Sequence, residues 1–265
     1  MLAIERRNEI LSKLREEKKV LVGDLSKYYK VTEETIRRDL DLLEQKGLAK
    51  KTYGGAVLVD DLKEDLPYNV RKQTNIKQKK IIAELVSDMI QDGEHIMLDA
   101  SSTALYIAKS IRDKENITII TNSLEVMIEL ADKKGWRVLS TGGLMKEGAL
   151  ALIGPQTEKM IDNFHVDKAI ISCKGIDKNI GITDSNEADV EIKKHMINAA
   201  KEVILVVDSA KFDKISFIKM ENFSNIDYIA TDTNPSEEWH DTFERNGVTV
   251  SYTHLRAHET TLHLV

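Results

Sequence analysis

Five short segments between residues 99 and 211 combine hydroxyl, carboxylate and ammonium side chains with glycines. They are residues 99–103, 121–123, 141–143, 174–175 and 208–211. Hydroxyl and backbone N–H groups at the start of a helix bind anions, a lysine adds positive charge, and glycine lets the backbone approach a ligand closely. If the fold brings these segments together, they predict a pocket for a small polyol that carries a phosphate.

Each single segment also has a simpler interpretation. Ser, Thr, Asn and Asp that follow strands are ordinary turn and cap residues, and isolated lysines usually lie on the solvated surface. Four of the five segments carry such Ser, Thr, Asn or Asp residues, and four such loops in one chain favour a common binding site over four unrelated turns. The residues that we expect to contact the ligand are Asp99, Ser101, Ser102, Thr103, Thr121, Asn122, Gly142, Gly143, Lys174, Asp208 and Lys211.

Short runs of mainly apolar residues predict the strands that would hold these segments. They lie at residues 96–99, 117–121, 138–141, 169–172, 203–208 and 228–231. Such composition is typical of strands buried on both faces. Helical patterns at 75–90, 104–111, 124–131 and 187–200 alternate with them. The alternation predicts an α/β domain with a doubly wound, mainly parallel sheet, in which ligands bind beyond the carboxyl ends of the strands.

The segment 31–45 has the pattern of a DNA-recognition helix. Thr32 can accept a backbone N–H as an N-cap, and Ile36, Leu40 and Leu43 form one apolar stripe. Thr35, Arg37 and Arg38 lie off that stripe and are candidates, with Thr32, for contacts to bases or phosphates. The two arginines could instead form a solvated face, with Asp41 as an ion-pair partner one turn later.

The residues around this helix complete a winged helix-turn-helix. Apolar periodicity predicts two earlier helices, near 4–14 and 22–29, and Leu21 provides no strong cap for the second. A basic hairpin with a Gly-Gly turn follows the recognition helix and forms the wing. Its candidates for contacts to the DNA backbone are Lys50, Lys51 and Tyr53.

Length and charge favour two domains. The chain has 265 residues and a net charge of −6, yet residues 1–60 hold 13 basic and 11 acidic residues. Positive charge that is local is sufficient for DNA binding. We predict a DNA-binding domain at 1–58, a linker at 59–74 and a sensing domain at 75–252.

The single cysteine, Cys173, excludes an internal disulfide framework and fits a reducing compartment. No apolar run reaches the roughly 20 residues that cross a bilayer, and the N-terminus lacks the apolar core of a signal peptide. We therefore expect a cytoplasmic protein without a membrane partner.

Several motifs resemble the DeoR family of bacterial transcriptional regulators. They include the segments 35–40, 47–48, 53–56, 98–99, 102–103, 121–122, 142–143, 175–176, 181–183, 186–187 and 208–212. The resemblance implies a C-terminal domain similar to ribose-5-phosphate isomerase that senses a phosphorylated sugar, with no cofactor, and it adds Glu187 to the effector site.

The chain departs from the family pattern at two places. The effector loop of the family reads Asp-x-Gly-Ser-Thr-Thr, but Ser101 replaces the glycine here and Ala104 replaces the second threonine. Ser172, Cys173 and Lys174 stand where the family often has small residues. The extra lysine could add a phosphate contact or face solvent.

These observations predict a sequence-specific DNA-binding regulator, a repressor of a sugar-catabolism operon that responds to a phosphorylated sugar. Because one module buries little DNA surface, we expect a homodimer or homotetramer on a double-stranded operator. The alternative is an isomerase-like enzyme fused to a DNA-binding domain, with Asp99, Glu187, Asp208 and Lys211 as acid, base and electrophilic groups.

The tail at 253–265 does not fit the family. His254 and His258 are spaced to share one face of a helix, which could bind a metal, but no further cluster of ligands supports this. The tail resembles translated adapter sequence. We treat it as non-native and assign it no function.

Overall fold

The computed structural model describes residues 2–45, 47–58 and 66–252, and the predictions for the tail at 253–265 fall outside these ranges. The chain divides into two compact units, Met1–Thr74 and Asn75–Val265. Each unit has its own hydrophobic core.

The first unit is a winged helix-turn-helix, as expected. Its elements are α1 (Ala3–Glu17), β1 (Lys19–Leu21), α2 (Val22–Tyr29), α3 (Glu33–Gln45), β2 (Ala49–Thr52), β3 (Gly55–Leu58) and α4 (Tyr68–Gln73). The strands form an antiparallel sheet in the order β1-β3-β2. Strand β1 lies between the two helices that the sequence predicted and was not itself predicted, and α4 lies within the range predicted to be a linker.

The core of this unit joins α1 to α3. Ile10 and Leu14 of α1 are fully buried, as are Ile36 and Leu40 of α3. Each such side chain contributes about 1.5–3 kcal/mol by leaving water. The apolar stripe of the recognition helix therefore has the expected role, and no side chain caps α2 at Leu21.

The second unit contains a seven-stranded sheet in which all neighbouring strands are parallel. Its strands, in spatial order, are β15 (Thr249–Tyr252), β14 (Tyr228–Thr231), β12 (Ala200–Val206), β9 (Val166–Ser172), β4 (His95–Leu98), β5 (Thr118–Thr121) and β6 (Arg137–Ser140). All six predicted strands are present. The edge strand β15 was not predicted.

Helices cover both faces of this sheet. They are α5 (Ile76–Met89), α6 (Ser102–Ser110), α7 (Leu124–Leu130), α8 (Pro155–Asp162), α9 (Glu187–Asn198) and α10 (Glu237–Arg245). Alternate residues of β4 enter different cores, since Ile96 and Leu98 pack on one face and Met97 on the other. The doubly wound α/β architecture is therefore confirmed.

Two small sheets lie beside the main sheet. One is the antiparallel pair β7 (Leu144–Lys146) and β8 (Ala151–Ile153), and the other has the order β10-β11-β13, from Gly175–Asp177, Gly181–Asp184 and Ile218–Glu221. The sequence analysis predicted none of these strands. They matter for the site because β11 ends at Asp184, directly before helix α9.

Candidate functional site

The first turn of α3 is organised by the predicted N-cap. The Oγ1 atom of Thr32 accepts the backbone N–H of Thr35 at 3.3 Å, and the two hydroxyl oxygens lie 2.9 Å apart. Thr32 is exposed and Thr35 is half-buried. Capping therefore holds both hydroxyls at the start of the recognition helix.

Arg37 and Arg38 are exposed on α3, and their ion pairs run toward the start of the helix. Arg37 Nη2 lies 2.8 Å from a carboxylate oxygen of Glu33, and Arg38 Nε lies 3.4 Å from one of Glu34. In the part of the chain that the structure describes, the partners of these arginines are therefore Glu33 and Glu34, not Asp41, which was the partner in the alternative interpretation. Exposed pairs of this kind contribute about 0.2–1 kcal/mol, so a DNA phosphate can replace the glutamates at little cost.

Asp41 instead binds the wing. Its carboxylate pairs with the ammonium group of Lys51, and Glu44 accepts the backbone N–H of Lys51 at 2.8 Å. The hydrogen bond from Asp41 raises the pKa of Lys51. Lys51 therefore connects β2 to α3, whereas Lys50 is exposed beside it.

The tip of the wing presents an aromatic side chain. Tyr53 is fully exposed. Gly54 has a φ of +83°, and a methyl group on Gly55 would lie 2.1 Å from the carbonyl oxygen of Val20. The two glycines are thus required by the tight turn and by the close approach of β3 to β1.

The sequence analysis missed one charged residue of this unit. Asp39 is 3% exposed on the buried face of α3, and its carboxylate lies 2.5 Å from Arg6 Nε and 3.5 Å from Arg7 Nη1. These pairs fix α3 against α1. The sequence did contain a signal for this buried ion pair, namely a carboxylate three residues after Ile36, on the apolar side of the helix.

In the second unit, Asp99 lies at the carboxyl end of β4 and connects two loops. Its carboxylate accepts the N–H of Ser101 at 3.0 Å and the N–H of Ser172 at 2.8 Å. Ser101 caps α6 by accepting the N–H of Ala104 at 3.0 Å. The serine that replaces the usual glycine therefore serves as a helix cap, and Ser102 and Thr103 are buried in the following turn.

The next strand ends in a second buried polar loop. Thr121 donates its hydroxyl to the carbonyl of Leu98 at 2.7 Å and accepts the N–H of Ser123 at 3.0 Å. Asn122 donates to the carbonyl of Leu152, while its Oδ1 atom is buried without a hydrogen-bond partner among the described residues. A buried amide oxygen of this kind can accept a hydrogen bond from a ligand hydroxyl.

The predicted glycine pair has a packing role. Gly142 and Gly143 have φ values of +63° and +110°. A methyl group on Gly143 would lie 2.1 Å from the Oγ1 atom of Thr157, which donates a 2.6 Å hydrogen bond to the carbonyl of Gly142. The close contact of this loop with α8 therefore accounts for Gly143.

A buried charge cluster occupies the carboxyl end of the sheet. Lys193 of α9, which the sequence analysis missed, lies 2.5 Å from Asp184 and 3.8 Å from Asp99. Burial alone would lower the pKa of Lys193, but the carboxylates of Asp184 and Asp99 raise it. Burial opposes ionisation of Asp184 too, yet the ammonium group of Lys193 holds the pKa of Asp184 below its usual range.

A second lysine belongs to the same cluster. Lys211 Nζ donates to Ser172 Oγ at 3.1 Å and lies 3.8 Å from a carboxylate oxygen of Asp208. Ser172 also binds Asp99 through its backbone N–H. The structure therefore brings Asp99, Asp208 and Lys211 together, as predicted, with Ser172 between them.

The remaining predicted residues differ in placement. Lys174 is 9% exposed, and its charge contributes to the lowered pKa of Asp184. Glu187 is exposed at the first position of α9, and no hydrogen bond or ion pair within the described residues involves its side chain. Burial raises the pKa of the Cys173 thiol to about 12, so this thiol stays protonated near neutral pH.

Within residues 2–45, 47–58 and 66–252, neither a metal site nor a membrane-spanning helix is found. No group of three or more His, Cys, Asp or Glu residues there is placed to hold a metal ion. None of the helices there is long and apolar enough to cross a membrane.

Comparisons with known proteins cover both units. The DeoR-like helix-turn-helix domain matches residues 6–61, and the DeoR C terminal sensor domain matches residues 74–233. An uncharacterized HTH-type transcriptional regulator of Bacillus subtilis, YulB, is 38% identical over 88% of this chain and 90% of its own. The glycerol-3-phosphate regulon repressor of Escherichia coli is 29% identical over 89% and 93%. Ribose 5-phosphate isomerase from Plasmodium falciparum is a solved structure with 18% identity and a TM-score of 0.37, covering 51% of this chain and 52% of that one.

Proposed function

Because this chain belongs to the DeoR family of DNA-binding transcriptional regulators, we propose that it represses a sugar-catabolism operon and that a phosphorylated sugar controls its binding to DNA. One relative bears the name of a repressor of the glycerol-3-phosphate regulon. That name combines repression with a small phosphorylated polyol, which is the ligand class that the polar loops favour.

On the DNA side, α3 enters the major groove. Arg37 and Arg38 exchange their weak pairs with glutamates for phosphates or base edges, and Thr32 and Thr35 lie at the end of the helix that points to the groove. In the wing, Lys50, Lys51 and Tyr53 contact the DNA backbone. The exposure of the two arginines on a helix whose opposite face is buried supports this assignment.

On the effector side, one observation carries the proposal. Lys211, Ser172 and Asp99 form a continuous hydrogen-bonded series at the carboxyl ends of neighbouring parallel strands. An ammonium group there attracts a phosphate, and Asp99 and the buried Oδ1 of Asn122 accept hydrogen bonds from sugar hydroxyls. The loops that hold Ser101, Ser102, Thr103, Thr121, Gly142, Gly143, Lys174 and Asp208 enclose the ligand. We retain Glu187 as a rim residue on the family resemblance alone.

The protein acts as a homodimer or homotetramer on a double-stranded operator. A single module buries about 600–1,000 Å² on DNA, which is small for a tight specific complex, so paired half-sites are needed. An operator as partner places the protein in the cytoplasm, where bacterial DNA is.

A thermal-shift experiment tests the effector proposal. Full-length protein is melted with inorganic phosphate, glycerol 3-phosphate, fructose 1-phosphate, glucose 6-phosphate and the unphosphorylated parents. A ligand at about 100 times its Kd adds about 2.7 kcal/mol of stability, so a phosphate-dependent rise in Tm is expected.

Two lysine variants assign such a rise to the pocket. Lys211→Met should abolish the rise, and Lys214→Met, in the same loop but exposed, should keep it. A flat panel with the unchanged protein, or a full rise with Lys211→Met, would count against the proposed pocket.

The DNA proposal has its own measurement. A duplex is first selected from a random-sequence pool by the full-length protein, and its Kd is then measured by fluorescence anisotropy. Arg38→Ala should weaken binding by about tenfold or more, as for the loss of a base or phosphate contact. Weaker binding in the presence of a hit from the thermal screen would support a repressor that the sugar phosphate releases.

The isomerase alternative receives no support from a particular observation. Its candidate base, Glu187, is exposed and outside the hydrogen-bonded cluster. The relatives reported above carry names of regulators, and the matched C-terminal domain is described as a sensor.

A further inference from the structure

The two units meet in sequence at the peptide bond between Thr74 and Asn75. We propose that Asn75 is the positioning residue through which the state of the effector pocket reaches the DNA-binding unit. This inference rests on the proposed function, because it names the route by which the effector would control DNA affinity.

The conformation of Asn75 is unusual and is held from two sides. Its φ and ψ are 51° and 41°, the left-handed region that asparagine tolerates better than most residues. Its carbonyl accepts the N–H of Lys79 in the first turn of α5 at 3.0 Å. Its side-chain amide donates to Asp208 Oδ1 at 3.3 Å, which links the junction residue to a carboxylate 133 residues later.

That carboxylate belongs to the pocket. Asp208 is 3% exposed, and the same Oδ1 atom also accepts the N–H of Ala210 at 3.2 Å. Its other oxygen lies 3.8 Å from Lys211 Nζ, the ammonium group that we assign to the phosphate. A phosphate at Lys211 competes with Asp208 for that positive charge, which changes how strongly Asp208 holds the amide of Asn75.

On the other side of the junction, two hydrogen bonds hold Thr74. Thr74 donates its hydroxyl to the carbonyl of Val70 at 3.0 Å, and its N–H to the carbonyl of Arg71 at 3.2 Å. These bonds hold Thr74 against the last turn of α4. The residue that precedes Asn75 is therefore part of the hydrogen-bonded end of α4.

Helix α4 also contacts the turn that follows the recognition helix. Gly47 comes two residues after the end of α3, and a methyl group placed on it would lie 3.1 Å from Pro67 Cδ and 3.6 Å from a methyl of Val70. Gly47, Pro67 and Val70 all belong to the first unit. The proposed path from pocket to DNA thus runs through Lys211, Asp208, Asn75, α4 and Gly47.

A double-mutant cycle on DNA affinity tests this path without requiring the natural effector. Lys211→Met removes the charge beside Asp208, and Asn75→Gly removes the amide while keeping the left-handed backbone conformation accessible. The Kd of each full-length variant is measured for one duplex selected from a random pool. We expect Lys211→Met to change Kd by about fivefold or more in the wild-type background and by less than about twofold in the Asn75→Gly background.

Asn116 provides the matched control. It is an exposed asparagine of the second unit with a φ of +57°, so Asn116→Gly makes the same substitution in the same backbone region. The effect of Lys211→Met should persist in that background. If Asn75→Gly fails to fold, Asn75→Asp, which tolerates the same conformation but lacks the amide donor, replaces it.

Two results overturn the inference: an equal effect of Lys211→Met in the wild-type and Asn75→Gly backgrounds, or no effect of Lys211→Met in the wild-type background. These outcomes are separable from the fate of the proposed function. A phosphate-dependent thermal shift together with an additive mutant cycle would support the sugar-phosphate effector but reject the path through Asn75. If no ligand in the thermal-shift panel raised Tm but the mutant cycle was non-additive, sugar phosphates would be rejected as effectors and the path through Asn75 would be supported.

Discussion

Replacing Asp39 with asparagine should greatly destabilise the DNA-binding unit. The change keeps the shape of the side chain but removes the charge that pairs with Arg6, whose side chain is only 10% exposed. Breaking a buried ion pair by removing one partner costs about 3–5 kcal/mol, because the other charge stays buried without compensation. A folded unit of this size has about 4–11 kcal/mol of stability in total, so most of it could be lost.

Hydrogen exchange measured by mass spectrometry on the full chain tests this value. A loss of about 3 kcal/mol should speed the slowest amides of α1 and α3 by about a hundredfold or more, since 1.4 kcal/mol is a factor of ten. Asp41→Asn is the control, because Asp41 lies on the same helix and also has a basic partner but is 43% exposed. Its cost should stay below about 1 kcal/mol. Equal exchange rates in the two variants would refute the assignment of Asp39 as the buried connection between α1 and α3.

Three further predictions concern the second unit. Lys193→Met should cost about 3–5 kcal/mol in urea unfolding because it leaves Asp184 buried and unpaired, and Lys194→Met should cost less than about 1 kcal/mol. Gly143→Ala should cost about 1–3 kcal/mol or more, because the new methyl meets Thr157 Oγ1 at a φ of +110°; an unchanged urea midpoint would contradict this. Since the folded state lowers the pKa of Asp184, its contribution to stability should be present above about pH 4 and be lost as the pH falls through the folded pKa, and Asp184→Asn should remove that part of the acid slope.

The recognition helix was predictable from the sequence because local signals and burial agree there. Thr32 caps α3, and Ile36, Leu40 and Leu43 are buried. The ion-pair partners were not predictable, because i,i+4 spacing permits a partner on either side. Arg37 pairs with Glu33 rather than with Asp41, because Lys51 of the wing already forms an ion pair with Asp41.

The central strands of the sheet were predictable because burial on both faces makes them almost wholly apolar. The missed strands are different: β15 lies at the sheet edge with half-exposed residues, and β10, β11 and β13 mix apolar residues with glycine or charged residues. Helix α10 carried a usable signal in Trp239 and Phe243, which are four residues apart and buried. Many charged residues around them obscured it.

The candidate site was predicted from the polar residues that directly follow strands. Residues that helices contribute to the same cluster cannot be found in this way. Lys193 comes from the middle of α9, where a lone lysine is usually solvated. Asp184 ends a short strand that itself was not predicted. Their partnership is a long-range consequence of how α9 packs on the sheet.

The two lysines of the cluster, Lys193 and Lys211, differ in how closely carboxylates neutralise their charges. Lys193 is 2.5 Å from Asp184, has Asp99 as a second carboxylate neighbour and is 12% exposed, so its charge is already compensated by the protein. Lys211 is held by a neutral hydroxyl at 3.1 Å and by a carboxylate only at 3.8 Å. Lys211 can therefore bind a phosphate at the cost of one long ion pair to Asp208. If Lys193 bound the phosphate instead, Asp184 would stay buried without its partner. In the proposed site, the carboxylate that Lys211 would leave is Asp208, which also accepts the hydrogen bond from the Asn75 side chain.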